Sequence, residues 1–216
     1  MQEHRPCATT GRREARREQR RDVILEVAAR SFLEHGYAGT TMSAIASELG
    51  GSKGTLWNYF PSKEVLFGAV LDRATIAFRD ELRVKLTKAD SLEKVLGRLC
   101  ETFISKLNSP EAIALQRLVV GEAGRFPEMG RIYYERAPQP TLELMAGYIG
   151  TVMEQGLLRR ENPLHTAQYL VAMCTARSNI RLQTGVGDWL SPAEVREEAR
   201  DAMMLFLRAY RPESGG

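Results

Sequence analysis

Between Thr40 and Lys63 the chain reads TTMSAIASELGGSKGTLWNYFPSK. Thr41 can cap a short helix from Met42 to Leu49, with Ile45, Ala46 and Leu49 on its inner side. Gly50 and Gly51 break that helix. A second short helix runs from about Ser52 to Tyr59, and Phe60 and the helix breaker Pro61 follow it. Two short helices around a tight glycine turn constrain this part of the chain more than any other feature of the sequence.

Helical spacing continues almost everywhere else, and no stretch alternates apolar and polar residues as a half-buried strand would. Val23, Ile24, Val27, Ala28, Phe32 and Leu33 form an apolar stripe at three- and four-residue intervals, stopped at Gly36. Ser62 can cap a long helix through about Leu86, and Asp90 or Ser91 opens another that ends near Asn108. Ser109-Pro110, Asn162-Pro163 and Ser191-Pro192 each put a capping side chain before a proline at the first helical position. They open helices over roughly 110–124, 163–184 and 192–210. A further helix runs from about Pro140 to Gln155 and stops at Gly156. The expected fold is all-α with about nine helices. Its N-terminal part is a three-helix helix-turn-helix domain over 16–66, behind a disordered basic arm over 1–15. Its C-terminal part is a larger helical domain over 67–212. The boundary falls in or near the helix that Ser62 opens, which implies mechanical coupling of the two halves.

Charge is distributed unevenly. The formal net charge is +3. Residues 1–21 hold Arg5, Arg12, Arg13, Arg16, Arg17, Arg20 and Arg21 against Glu3, Glu14 and Glu18, and the remainder is close to neutral. A basic segment beside a helix-turn-helix suits phosphate contacts. Cys7, Cys100 and Cys174 are scattered, as are His4, His35 and His165, so no metal-ligand spacing is present. The thiols read as two core residues and one tail residue, with a redox-sensing thiol as the other reading. There is no nucleophile–base pair, HExxH or phosphate loop, so no catalytic residue, metal or cofactor is expected. No apolar run approaches the ~20 residues that span a bilayer. The expected location is the cytoplasm, with no membrane partner.

A helix-turn-helix can lay its second helix in the major groove of DNA. Ser52, Lys53, Thr55 and Asn58 offer donors and acceptors to base edges and phosphates. Gly54 lets the backbone approach closely. Trp57 and Tyr59 are amphipathic. Lys63 follows near the start of the next helix, whose free amides also suit a phosphate.

Residues 24–71, ILEVAARSFLEHGYAGTTMSAIASELGGSKGTLWNYFPSKEVLFGAVL, resemble the N-terminal domain of TetR/AcrR transcriptional regulators. The likeness rests on Gly36-Tyr37, Thr40-Thr41, Ile45-Ala46, Gly54-Thr55-Leu56-Trp57 and Tyr59-Phe60 before Ser62-Lys63-Glu64. That family usually has tyrosine where Trp57 stands and valine where Gly51 stands. The resemblance implies that Thr41 and Ser43 touch DNA from the first helix, and that Lys53, Gly54 and Thr55 read bases. Trp57, Asn58, Tyr59 and Lys63 would grip backbone or edges. Residues 117–140, RLVVGEAGRFPEMGRIYYERAPQP, are similar to the AefR-like subgroup. The helices near 163–184 and 191–210 fall where such proteins form their homodimer. The implied function is a repressor that leaves a palindromic operator when a small lipophilic effector enters the C-terminal domain. The alternative is a DNA-binding regulator controlled by a protein partner, or an activator.

The helix near 110–124 is apolar on almost all sides, yet carries Gln116 and Arg117. That pattern predicts a helix in the middle of its domain. Arg117 would then either form an internal ion pair with Glu143 or Glu101, or meet a polar group on the effector. Phe103, Leu107, Val120, Tyr133, Tyr148, Met153 and Met173 are expected as further effector-binding residues, with Arg177 as a second polar contact or a dimer residue.

Overall fold

The structure is a computed structural model that describes residues 8–50, 53–87 and 90–212. Every regular element among the described residues is a helix: α1 (Ala8–Gly39), α2 (Met42–Glu48), α3 (Lys53–Tyr59), α4 (Lys63–Leu86), α5 (Leu92–Leu107), α6 (Pro110–Glu122), α7 (Pro127–Arg136), α8 (Pro138–Glu154), α9 (Pro163–Thr175), α10 (Asn179–Thr184) and α11 (Pro192–Tyr210). The chain divides into two compact units, residues 1–73 and 74–216, with the division inside α4.

The first unit is built on the stripe of α1. Ile24, Leu25, Val27, Ala28 and Phe32 are buried, together with Ile45, Ala46, Leu56, Phe60, Leu66, Phe67 and Leu71. Phe32, Tyr37 and Phe67 pack as an aromatic trio, with Phe67 edge-on to both partners at centroid distances of 5.1 and 5.3 Å. α1 is kinked at Gly36, whose φ of 75° and ψ of 171° interrupt the helix where the sequence placed its end. Thr40 locks this corner: its buried hydroxyl is 2.7 Å from the Gly36 carbonyl and 2.9 Å from that of Ser31. The helix begins at Ala8, so residues 8–15 are helical where a disordered arm was expected. Arginine, glutamate and alanine are all strong helix formers, and the segment continues directly into the packed stripe. Residues 1–7, including Arg5 and Cys7, lie outside the described residues.

The second unit has its core between α5, α8, α9 and α11. α5 buries Val95, Leu96, Leu99, Cys100, Phe103 and Ile104, the spacing of one continuous helical face. The three proline-preceded caps form as the sequence implies. Ser109 accepts from the Ala112 amide, Asn162 from that of His165, and Ser191 from that of Glu194. Glu194 returns a bond to the Ser191 amide at 2.8 Å, completing a capping box. Two elements go beyond the sequence expectation. α7 opens at Pro127 without a capping side chain, because Phe126 stands at the cap. The expected helix 163–184 is divided into α9 and α10 around Ser178, whose buried hydroxyl donates to Glu198 of α11. α10 ends at Gly185 in the left-handed conformation.

Candidate nucleic-acid interface and apolar cavity

In the first unit, α2 starts with the Thr41 hydroxyl accepting from the Ala44 amide at 3.1 Å. Ile45 and Ala46 turn inward, and Ser43 faces solvent. On α3, Leu56 is buried, as is Phe60 just beyond it, while Gly54, Trp57 and Asn58 are exposed. Spacings of three and four residues place those three positions on one side of a helix, opposite the buried leucine. Trp57 keeps 38% of its surface exposed although it is a large aromatic. Thr55 and Tyr59 are half-buried at the edges of this face. Gly51, Ser52 and the Lys53 side chain lie outside the described residues.

Other basic residues take structural positions within the same unit. Lys63 donates to the Tyr37 carbonyl at 2.8 Å and lies 4.2 Å from the centre of that ring. Arg17 stacks over Tyr59 and Arg21 over Phe60, at 5.9 and 5.5 Å from the ring centres. Arg20 donates to the Leu49 carbonyl and Arg30 pairs with Glu48, both on the α2 side. Sequence reasoning ended the disordered arm at residue 15 and read Arg17, Arg20 and Arg21 as part of a basic segment suited to phosphates. Their return to α2 and α3 follows from helical continuation of α1, which brings every fourth residue to the same side. Arg12, Arg13 and Arg16 remain exposed.

In the second unit a cavity of about 180 Å³ lies among α4 to α9. Phe78, Phe103, Leu107, Leu115, Tyr133, Leu142 and Val171 are the large apolar and aromatic residues of its wall. Of the residues named from the sequence as effector-binding candidates, Phe103, Leu107 and Tyr133 line this cavity. Burial pushes the Tyr133 phenol above its ordinary range. The polar wall residue Gln116 is held by three bonds: it donates to the Leu107 carbonyl at 2.9 Å and accepts from Asn179 and Gln183. This amide cluster ties α5, α6 and α10 together, and nothing in the spacing of the sequence announced it.

The remaining candidates stand elsewhere. Arg117 is exposed and neither faces the cavity nor pairs with Glu143 or Glu101. It donates to the carbonyls of Leu182 and Gln183 at 2.6 and 2.7 Å, at the C-terminal end of α10. The carbonyls at a helix C-terminus carry partial negative charge, which a guanidinium complements, although that of Leu182 also accepts from the Gly185 amide. Val120 is 77% exposed, so α6 is a surface helix of this chain and not a central one. Its apolar run misled because only one side, Ile113 and Val119, is buried. Met153 is packed into the core, and Met173 and Tyr148 lie partly buried against it. Burial also raises the Tyr148 phenol. Arg177 pairs with Asp201 of α11 at 2.9 Å and with Glu197 at 3.7 Å. Cys100 and Cys174 are buried neighbours, and the Cys174 thiol is pushed up by its hydrogen bond with Cys100 and by burial.

Residues 94–212 match the AefR-like transcriptional repressor C-terminal domain, and residues 24–70 match the bacterial regulatory proteins of the tetR family. The chain belongs to the TetR family. Among relatives of this TetR-family chain, the transcriptional repressor AcnR of Corynebacterium diphtheriae is 45% identical over 51 residues, which is 24% of this chain and 27% of AcnR. The match thus spans about a quarter of that relative's length. Whole-chain likeness comes from solved structures. A TetR-family regulator from Mesorhizobium loti superposes with a TM-score of 0.78 at 28% identity, over 90% of this chain and 98% of that one. The flavonoid-responsive regulator FrrA gives 0.75 at 26% identity, over 91% and 100%. The match at 24–70 covers α2 and α3 with their supporting helices, and that at 94–212 covers most of the cavity wall.

Proposed function

We propose that this TetR-family chain is a homodimeric repressor that binds a twofold operator through α3 and leaves it when a small lipophilic effector occupies the cavity of the second unit. The observation that carries the reading is the outward face of α3, where Gly54, Trp57 and Asn58 stand clear over a buried Leu56 and Phe60. A short helix with a small residue, an amide and an indole on its free side fits the major groove, where amides pair with adenine edges and indoles pack on the backbone. Thr41, Ser43, Ser52, Lys53, Thr55, Tyr59 and Lys63 complete the proposed contact set. Tyr169 on α9 and Leu205 on α11 are more than half exposed, which supports a partner copy on those helices. Effector binding releases DNA only if it favours the conformation in which the two recognition helices are wrongly spaced. The reading includes no catalysis and a cytoplasmic location. None of the described helices is long and apolar enough to cross a membrane.

The test is selection of bound sequences from a random DNA pool by the purified protein, with its mass in solution measured alongside. A palindromic site with half-sites about one helical turn or more apart, bound by a dimer, is the expected result. An asymmetric site bound by a monomer would sink the proposal.

A further inference from the structure

The cavity also restricts what can enter it, an inference that rests on the effector-responsive reading above. Its volume of about 180 Å³ is small. A dry apolar cavity of roughly 150 Å³ accepts benzene, whereas drug-sized ligands occupy roughly 300–1,000 Å³. The available space therefore suits one or two fused rings. The walls favour aromatic rings over alkyl chains. Phe78 and Phe103 meet edge to face at 5.3 Å and 82°, and Tyr133 adds a third ring.

The polar inventory is equally restrictive. Gln116 gives an N–H to the Leu107 carbonyl while its oxygen accepts from Asn179 and Gln183, and the hydroxyl protons of Thr141 and Thr75 go to the Ala137 and Arg136 carbonyls, so these three groups are already held by the protein. The Tyr133 hydroxyl makes no hydrogen bond among the described residues. The fully occluded side-chain atoms without a partner belong to Arg98 and Asn108, so the hydroxyl of Tyr133, a residue of the cavity wall, keeps accessible surface. Lys106 and Glu111 are the charged residues on the wall, and both also line a larger neighbouring groove. A carboxylate carried into this space would be desolvated with a cation and an anion both at hand, which leaves it little net gain.

We propose that the effector is a neutral one- or two-ring aromatic bearing a hydroxyl, stacked against Phe78 and Phe103 and hydrogen-bonded to the Tyr133 hydroxyl. Tyr133 is then the residue that selects phenols over plain arenes of the same shape.

The experiment is calorimetric titration of the full-length protein with four probes: 2-naphthol, naphthalene, 2-naphthoate and the larger flavone. Saturable binding of 2-naphthol, tighter than that of the other three, is expected. Tyr133→Phe should weaken 2-naphthol about three- to tenfold, the usual worth of one hydrogen bond, and leave naphthalene unchanged. Leu142→Trp, which fills the cavity, should abolish binding of both. Tighter binding of flavone or naphthoate, or an equal loss for naphthol and naphthalene in Tyr133→Phe, would overturn the inference. Operator binding is measured separately in the same samples. Operator released by some other ligand, with no response to naphthol, defeats this assignment alone. A protein that binds no operator at all defeats the regulator reading.

Discussion

At the scale of single residues, the decisive contrast is between polar side chains that are engaged and those left free. Asn58 is free. It stands exposed on α3 beside Trp57, and its amide can pair bidentately with adenine. Asn58→Ala should cost roughly 1–3 kcal/mol of operator binding and relax preference at one base pair in each half-site. Competition with base-substituted operators measures both; a uniform loss across all sequences would mean a phosphate contact. Glu64 is engaged. It sits in the first turn of α4, and bonds to its own backbone amide, to Ser62 and to the Tyr37 hydroxyl hold its carboxyl below the ordinary value near 4.5. A depressed folded-state value means stability that is full above the ordinary range and fades as pH falls through the folded value. Glu64→Gln should therefore unfold at lower temperature than the parent at neutral pH, and the gap should shrink as the solution is acidified. A gap independent of pH would show that packing, and not charge, is what Glu64 supplies. Arg117 looked like a pocket residue because a charge within an apolar run suggests burial. Its actual partners are the last carbonyls of a helix more than sixty residues away, which local periodicity cannot reveal.

At the scale of elements, the sequence was most informative where the signal is local. Ser109, Asn162 and Ser191 cap the helices they precede, since a capping side chain and a following proline act within one turn. Where tertiary bonds compete, the reading failed. Residues 176–178 form a turn, where Ser178 donates to Glu198 and the following Asn179 donates to Asn108, Gln116 and the Leu107 carbonyl, so one expected helix becomes α9 and α10. α10 is six residues long and too short to persist alone. It depends on the Arg117 guanidinium and the amide cluster. Arg117→Met should lower stability by about 1 kcal/mol, less than the roughly 1.5–3 kcal/mol of a hydrogen bond to a charged group because Arg117 is exposed. In a protein of this size that is a fall in melting temperature of roughly 2–4 °C. Release of operator by the effector should be preserved, and loss of induction without loss of stability would return Arg117 to the binding wall.

At the scale of the whole molecule, both candidate sites were legible to very different degrees. The α2–α3 surface comes from one continuous stretch of about twenty residues, so its residue types and spacing can be read together. The cavity draws its wall from six helices spread over residues 74–171. Phe103, Leu107 and Tyr133 could be named as wall candidates because they are large side chains near the right helices, whereas Phe78, Leu115 and Val171 look like ordinary core positions until the helices are assembled. The same cavity is also a deficit in packing. Empty apolar volume forfeits about 24 cal/mol per Å³, so roughly 180 Å³ represents an upper bound on the order of 4 kcal/mol of stability left unclaimed by the unliganded fold. In the effector-responsive reading proposed above, responsiveness keeps a hole where selection for durability would put a side chain. Leu142→Trp should therefore melt higher than the parent protein while ignoring every effector, and the parent saturated with its ligand should close much of that difference. A filled variant that melts lower would mean the space is shaped by rigid walls that cannot admit an indole.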